Sequence, residues 1–195
     1  MKYIAVPDFV KGLIFDCDGT LVDSIPLHMR AWEFAIINEG GIWDYDLVFS
    51  MKGMKGRDIV KVCNAALGMS LDPTRTSAVK QQYFIDHYEE TAPIEPVAEV
   101  VRRYNGRLPM AVASGGSRMN VHRELEHAGL IQYFPVILTA DDDVLPKPAP
   151  DIFLEAARLI DIAPASCQVF EDGDRGLDAA RQAGMLVTDV REYGV

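Results

Sequence analysis

The chain has 195 residues, of which 49% are hydrophobic and 25% are charged. This composition is typical of a globular protein and excludes a disordered or fibrous chain. Nineteen basic and 29 acidic residues give a formal charge of 19 − 29 = −10, which argues against a broad nucleic-acid interface and against docking on anionic lipid.

Five short apolar runs predict the buried strands of a parallel sheet, because strands covered on both faces lack polar alternation. In chain order these runs are Lys11–Asp16, Pro109–Ser114, Pro135–Thr139, Gln168–Glu171 and Met185–Asp189. Helical patterns separate the later runs, at Ser117–Ala128, Ala149–Ile160 and Arg175–Ala183. Alternating strands and helices predict right-handed crossovers, and therefore an α/β fold with a Rossmann-like parallel sheet.

The segment between the first two strands has a different pattern. It shows three amphipathic helical periods, at Ile25–Glu39, Asp58–Leu67 and Thr74–Glu89, and little strand signal. A connection of this length predicts a second small domain. We therefore expect an α/β core of residues 1–23 and 92–195, with an inserted α-helical cap domain of residues 24–91 over the carboxyl edge of the sheet.

Carboxylates follow two of the predicted strands. Asp16 and Asp18 end the first strand, and Glu171 and Asp172 end the fourth. In an open parallel sheet, ligands bind beyond the carboxyl ends of the strands. Carboxylate oxygens suit Mg²⁺, and the sequence therefore predicts a magnesium site with Asp16 and Asp172 as ligands and Glu171 as a weaker candidate.

Two further segments at the same edge predict an anion site. Ser114, with Gly115 and Gly116, offers a hydroxyl and closely spaced backbone amides, and Lys147 adds a point charge. Each motif by itself is typical of a turn or a cap, and only their joint occurrence favours a phosphate-binding function. The Asp141–Asp143 run is expected to be a solvated loop.

At these residues the chain resembles the haloacid dehalogenase superfamily of phosphotransferases, over essentially its full length. The resemblance rests on DCDGTLVD at 16–23, on Ser114 in VASGGS, on Lys147 in KPAPDIF and on Glu171 in VFEDGD. The chain is similar to the branch with a helical cap, which includes β-phosphoglucomutase and sugar-phosphate phosphatases such as those acting on fructose 1-phosphate.

The resemblance implies a mechanism. Asp16 would be the nucleophile and would form an aspartyl-phosphate, while Asp18 would serve as general acid and base. Mg²⁺ would be held by Asp16, the Asp18 backbone carbonyl and Asp172, with Glu171 nearby. The residues expected to bind the phosphate are Thr20, Ser114, Gly115 and Lys147.

In the predicted cap, His28, Lys52 and Arg57 are expected to contact the substrate. The resemblance implies a Mg²⁺-dependent phosphatase that acts on a small phosphorylated metabolite, and we expect a sugar phosphate as its substrate. A β-phosphoglucomutase-type isomerase with the same nucleophile remains open, since the cations between Lys52 and Arg57 could bind a second phosphate. A receiver-type signalling domain fits less well, because it has no long helical insert.

The partners and the location follow from the same sequence. We expect a monomer that binds no nucleic acid and no membrane. Three widely spaced cysteines support neither a disulfide framework nor a zinc site. The N-terminal segment has no signal-peptide apolar stretch, and the expected location is therefore cytoplasmic.

Overall fold

A computed structural model of the protein describes residues 4–194. Its sheet has five strands in the spatial order β3-β2-β1-β4-β5, and every neighbouring pair is parallel. The strands are β1 (Gly12–Phe15), β2 (Met110–Ala113), β3 (Val136–Leu138), β4 (Cys167–Glu171) and β5 (Leu186–Asp189). The predicted α/β fold with a parallel Rossmann-like sheet is therefore confirmed.

Helices precede or follow each strand within the described residues. They are α1 (Ile25–Asn38), α2 (Tyr45–Ser50), α3 (Gly56–Leu67), α4 (Pro73–His87), α5 (Glu95–Tyr104), α6 (Arg118–His127), α7 (Asp151–Leu159) and α8 (Asp174–Gln182). Short 3₁₀ turns lie at Tyr88–Glu90, Ile131–Tyr133, Pro164–Ser166 and Val190–Tyr193.

Side-chain alternation along β1 divides the core around the sheet. Leu13 and Phe15 are buried with the apolar faces of α5 and α6, whereas Ile14 is buried with those of α7 and α8. Phe15 also stacks on Phe170 of β4, with ring centroids 4.6 Å apart. The sheet is thus the middle of three layers, and β1 delivers Asp16 to the centre of its carboxyl edge.

The described chain forms two compact units. The core unit consists of residues 4–23 and 91–194 and contains the sheet. The helical unit is Ser24–Glu90 and contains α1 to α4. The apolar faces of α1, α2 and α3 form one cluster, which includes Trp32, Ile36 and Val60. Among residues 4–194, no helix is both long enough and apolar enough to cross a bilayer.

Two helices were not predicted from the sequence. Helix α2 has only six residues, which is too few to show helical periodicity. Helix α5 begins with Glu95 and Pro96, shortly after the end of the helical insert, and it buries Val97, Val100 and Val101. Proline is favoured in the first turn of a helix, and Pro96 is therefore a start signal that was available in the sequence.

Candidate active site

A partly buried lysine joins two carboxylates at the centre of the carboxyl edge. Lys147 Nζ lies 2.7 Å from Asp16 Oδ1 and 2.7 Å from Glu171 Oε2. Asp16 follows β1, and its backbone N–H donates to the Phe170 carbonyl of β4 at 3.0 Å. The lysine is fixed in turn by Arg175, which donates from Nη2 to the Lys147 carbonyl at 2.6 Å. Three segments that are distant in sequence thus meet at one charged cluster.

The environment shifts the pKa values of this cluster. Burial raises the pKa of Asp16 well above its ordinary value, repulsion from Glu171 adds to the shift, and Lys147 opposes it. Burial likewise raises the pKa of Glu171, again against the attraction of Lys147. Burial by itself would lower the pKa of Lys147, but attraction from both carboxylates raises it above its ordinary value. Attraction from the carboxylates therefore favours the protonated lysine, while burial and mutual repulsion disfavour ionisation of the carboxylates.

Asp172 lies against the loop that follows β1. The Thr20 hydroxyl donates to Asp172 Oδ1 at 3.3 Å. Gly19 has a φ of +80°, and a Cβ on it would lie 2.7 Å from Asp172 Oδ2. Glycine is therefore required there both for the backbone conformation and for the approach of this carboxylate. The expected role of Thr20 at the phosphate stays a prediction, because its hydroxyl contacts Asp172 in the structure.

Two glycines leave space for the Glu171 carboxylate at the start of α8. The Gly173 N–H donates to Glu171 Oε1 at 3.0 Å. A Cβ on Gly176 would lie only 2.0 Å from Glu171 Oε2. Both Glu171 oxygens thus have a donor, from the Gly173 N–H and from Lys147.

Ser114 and Asp18 both approach Gly116. Ser114 is fully buried, and its Oγ accepts from the Gly116 N–H at 3.0 Å. A Cβ on Gly116 would lie 3.1 Å from Asp18 Oδ2 and 3.2 Å from Ser114 Oγ. Gly115, which lies between Ser114 and Gly116 in the sequence, is exposed. The structure therefore brings Asp18 and the predicted phosphate-binding segment together.

The acidic run after β3 forms a capping loop. Asp142 Oδ2 accepts from the Thr139 N–H at 2.8 Å and from its hydroxyl at 2.9 Å. Asp142 Oδ1 accepts from Arg118 Nη2 at 2.7 Å, and Asp141 accepts from the Arg118 backbone N–H at 2.9 Å. These contacts fix the start of α6.

The other predicted binding residues belong to the helical unit. His28 Nδ1 lies 2.7 Å from Lys80 Nζ, and the His28 ring stacks on Phe84 at a centroid distance of 4.3 Å. Lys52 Nζ lies 4.6 Å from the centroid of the Phe49 ring. Arg57 is exposed in the first turn of α3.

Sequence reasoning missed Lys80. It lies four residues before Phe84 on α4, and its ammonium is 5.1 Å from the centroid of that ring. The i, i+4 spacing of a lysine and an aromatic residue was the available signal, but it did not indicate His28 as a partner. The pairing joins α1 to α4, and only the tertiary structure reveals it.

The donor set of the core unit fits a divalent cation. Asp16, Glu171 and Asp172 each offer an oxygen within 4.8 Å of the others. Three ionised carboxylates and one ammonium leave a formal charge of −3 + 1 = −2. Hard cations such as Mg²⁺ take oxygen ligands, and a divalent ion would balance this charge.

Comparisons with known proteins show the family to which the chain belongs. Residues 10–184 match the family described as haloacid dehalogenase-like hydrolase. The chain is 36% identical over 180 residues to a fructose-1-phosphate phosphatase of Escherichia coli, which covers 92% of the chain and 96% of that protein. It is 26% identical to a beta-phosphoglucomutase of Bacillus subtilis, over 93% of the chain and 83% of that protein.

A solved structure shows the same fold. A hydrolase from Pseudomonas syringae superimposes with a TM-score of 0.80 at 26% identity, covering 91% of this chain and 82% of that chain. The predicted family and fold are thereby confirmed. The chain belongs to the haloacid dehalogenase-like hydrolases and is an enzyme of the phosphatase type.

Proposed function

We propose that the protein is a Mg²⁺-dependent phosphatase that hydrolyses a small sugar phosphate through an aspartyl-phosphate on Asp16. The observation that carries this proposal is the part-buried contact of Lys147 with Asp16 and Glu171, at 2.7 Å in each case. It places a nucleophilic carboxylate beside a fixed positive charge. Phosphoryl transfer needs mainly positioning and electrostatic stabilisation, which such a cluster provides.

The metal would be held by the carboxylates of Asp16 and Asp172 and by the backbone carbonyl of Asp18. When bound, Mg²⁺ supplies positive charge that offsets the charge of the transferring phosphoryl group. Thr20 would orient Asp172, since its hydroxyl donates to that carboxylate. Glu171 would mainly hold Lys147 in place.

The chemistry would proceed in two steps. A carboxylate oxygen of Asp16 attacks phosphorus, the bond between phosphorus and the sugar oxygen breaks, and Asp18 gives its proton to that oxygen. Water then attacks the phosphorus of the aspartyl-phosphate, Asp18 takes one of its protons, and inorganic phosphate leaves with the Asp16 carboxylate restored. Ser114, the backbone amides at Gly115 and Lys147 would bind the phosphate oxygens.

The helical unit would act as a cap that selects the sugar. His28, paired with Lys80, would face the substrate, and Lys52 and Arg57 would contact its distal groups. The relatives named as phosphatases of fructose 1-phosphate and of phosphorylated carbohydrates support a sugar phosphate as substrate. The monomeric state and the cytoplasmic location stay predictions from the sequence.

A β-phosphoglucomutase activity is the second candidate. It is favoured by the cations Lys52, Lys55 and Arg57, which lie within six residues, and by the relative named beta-phosphoglucomutase. In a mutase the sugar monophosphate would take the phosphoryl group from Asp16 in place of water. The higher identity of 36% to a named phosphatase, against 26% to the mutase, favours hydrolysis.

A panel of sugar phosphates with Mg²⁺ tests both candidates. We expect phosphate release from at least one hexose or pentose monophosphate and no glucose 6-phosphate from β-glucose 1-phosphate. Isomerisation without phosphate release would establish the mutase instead. Asp16→Asn should abolish either activity, and full activity of this variant would contradict the shared mechanism.

A further inference from the structure

A carboxylate is buried inside the core unit, away from any role assigned above. Glu124 lies on α6 and has no exposed surface. Its neighbours on the buried face of the helix are Val121 and Leu125, which belong to the apolar core. Burying a carboxylate in such surroundings is costly unless a specific contact compensates for it. The position therefore calls for a reason beyond packing.

A hydrogen bond joins Glu124 to the segment between the two catalytic candidates, Asp16 and Asp18. Cys17 Sγ donates to Glu124 Oε2 at 3.5 Å. Cys17 stands between Asp16 and Asp18, and its side chain is buried on the α5 and α6 side of the sheet. The alternation of β1 thus continues, and Cys17 points to α6 while Asp16 points to the charged cluster.

Cys17 also accepts backbone hydrogen bonds that close the loop carrying Asp18. Its carbonyl accepts from the Leu21 N–H at 2.9 Å and from the Val22 N–H at 3.0 Å. A contact that fixes the cysteine therefore fixes the turn in which Asp18 stands. In addition, an Asp18 carboxylate oxygen lies within 4.8 Å of a Glu124 carboxylate oxygen.

We propose that Glu124 is a positioning residue, which holds Asp18 in the orientation for proton transfer by anchoring Cys17 to α6. This inference rests on the proposed phosphatase function, in which Asp18 protonates the departing sugar oxygen. The same helix begins at the segment that carries Gly116, whose missing side chain leaves space for Asp18. Helix α6 would thus define two sides of the Asp18 position.

The activities on two substrates distinguish a positioning role of Glu124 from a merely structural one. A sugar phosphate has a poor leaving group that needs a proton, whereas p-nitrophenyl phosphate releases a stable anion without one. Because kcat/KM reports steps up to formation of the aspartyl-phosphate, misplacing Asp18 should affect the two substrates unequally. A general acid contributes about 10²–10⁴-fold, and Glu124→Leu should lose about tenfold or more on the sugar phosphate.

The same variant should keep kcat/KM for p-nitrophenyl phosphate within about threefold of the wild type. Glu124→Gln retains an acceptor for the Cys17 thiol and should stay close to the wild type with both substrates. The matched control is Glu126→Gln, an exposed glutamate on the same helix, which should change neither value. Thermal unfolding should show Glu124→Leu at least as stable as the wild type, because burial of a polar carboxyl group costs free energy that burial of leucine does not.

The outcomes distinguish this inference from the proposed function. If the wild type releases phosphate from no sugar phosphate, the proposed function fails, and the inference that rests on it fails as well. If the wild type is active and Glu124→Leu lowers both kcat/KM values by the same factor, Glu124 is merely structural and the inference is overturned. Equal activity of Glu124→Leu and the wild type on the sugar phosphate would overturn it as well.

Discussion

Replacing Lys147 by methionine tests the electrostatic basis of the site. Methionine keeps most of the side-chain volume near the Phe153 ring, whose centroid lies 4.8 Å from Lys147 Nζ, and it removes the charge. Asp16 and Glu171 then lose their shared cation. The change therefore isolates the contribution of one ammonium group to both stability and catalysis.

The magnitude follows from the burial of the three groups. The side chains of Lys147, Asp16 and Glu171 are only 11%, 8% and 4% exposed. Removing one partner of such a buried pair costs about 3–5 kcal/mol, because the remaining charge is left uncompensated. For a chain of this size, that corresponds to a fall of about 6–20 °C in the unfolding temperature.

The penalty should depend on pH. Without Lys147, the pKa values of Asp16 and Glu171 rise further in the folded state, since attraction to the lysine lowers both. When the pKa of an acid is higher in the folded state than in the unfolded state, the folded state holds the proton more tightly. The free energy of unfolding then falls as the pH rises above the ordinary pKa of the acid, which is about 4. Lys147→Met should therefore lose more stability at pH 8 than at pH 5.

Thermal and urea unfolding in a chelator measure this penalty, with Lys11→Met as the matched control. Lys11 is an exposed lysine of the core unit that donates to the Asp8 carbonyl at 2.7 Å, and its removal should change stability by no more than about 0.5 kcal/mol. Adding Mg²⁺ should narrow the gap between Lys147→Met and the wild type. Equal unfolding midpoints of these two proteins at pH 8 in the chelator would refute the electrostatic reasoning.

Three further substitutions test the geometry. Gly176→Ala should cost about 1–3 kcal/mol in urea unfolding, because the added Cβ would lie 2.0 Å from Glu171 Oε2; an unchanged midpoint would contradict this close packing. Burial and like charge raise the pKa of Asp16, so its ionisation costs the folded state free energy at pH 8. Asp16→Asn should therefore unfold at a higher temperature than the wild type at pH 8 in EDTA, and its stability should fall less between pH 5 and pH 8. A lower unfolding temperature of the variant at pH 8 would contradict this reasoning. Gly116→Ala should lower kcat at least about tenfold, because its added Cβ would lie 3.1 Å from Asp18 Oδ2 and displace the proposed acid. Its loss of stability should be smaller than that of Gly176→Ala. Steady-state assays on the best sugar phosphate measure this effect, and activity close to that of the wild type would contradict the reasoning.

The sheet could be predicted from the sequence because its physical signal is local. Strands that are covered on both faces are continuous apolar runs, and the five runs correspond to the five strands. The carboxyl ends of parallel strands share one edge, and this rule brought Asp16, Ser114 and Glu171 together without any knowledge of their contacts. The strands and the edge at which their polar residues lie thus follow from short-range patterns combined with one topological rule, whereas the spatial order of the strands comes from the structure.

The contacts of Thr20 and Lys80 could not be predicted, because the partners are far apart in sequence. Thr20 donates to Asp172 across 152 residues, and Lys80 meets His28 across 52. Each residue is of an ordinary type in its own segment. A hydroxyl or an ammonium indicates that a polar partner is needed, but only packing selects which partner is within reach.

Four glycines of the site have a second role besides their part in turns and in a helix. Gly173 and Gly176 are ordinary in the sequence as part of a turn and a helix, yet their missing side chains are the space in which Glu171 lies. Gly19 and Gly116 do the same for Asp172 and for Asp18. Carboxylates that repel one another can be packed at one sheet edge only where the neighbouring backbone has no side chain to exclude them. The glycines of these motifs therefore belong to the electrostatic arrangement of the site as much as to the turns in which they stand.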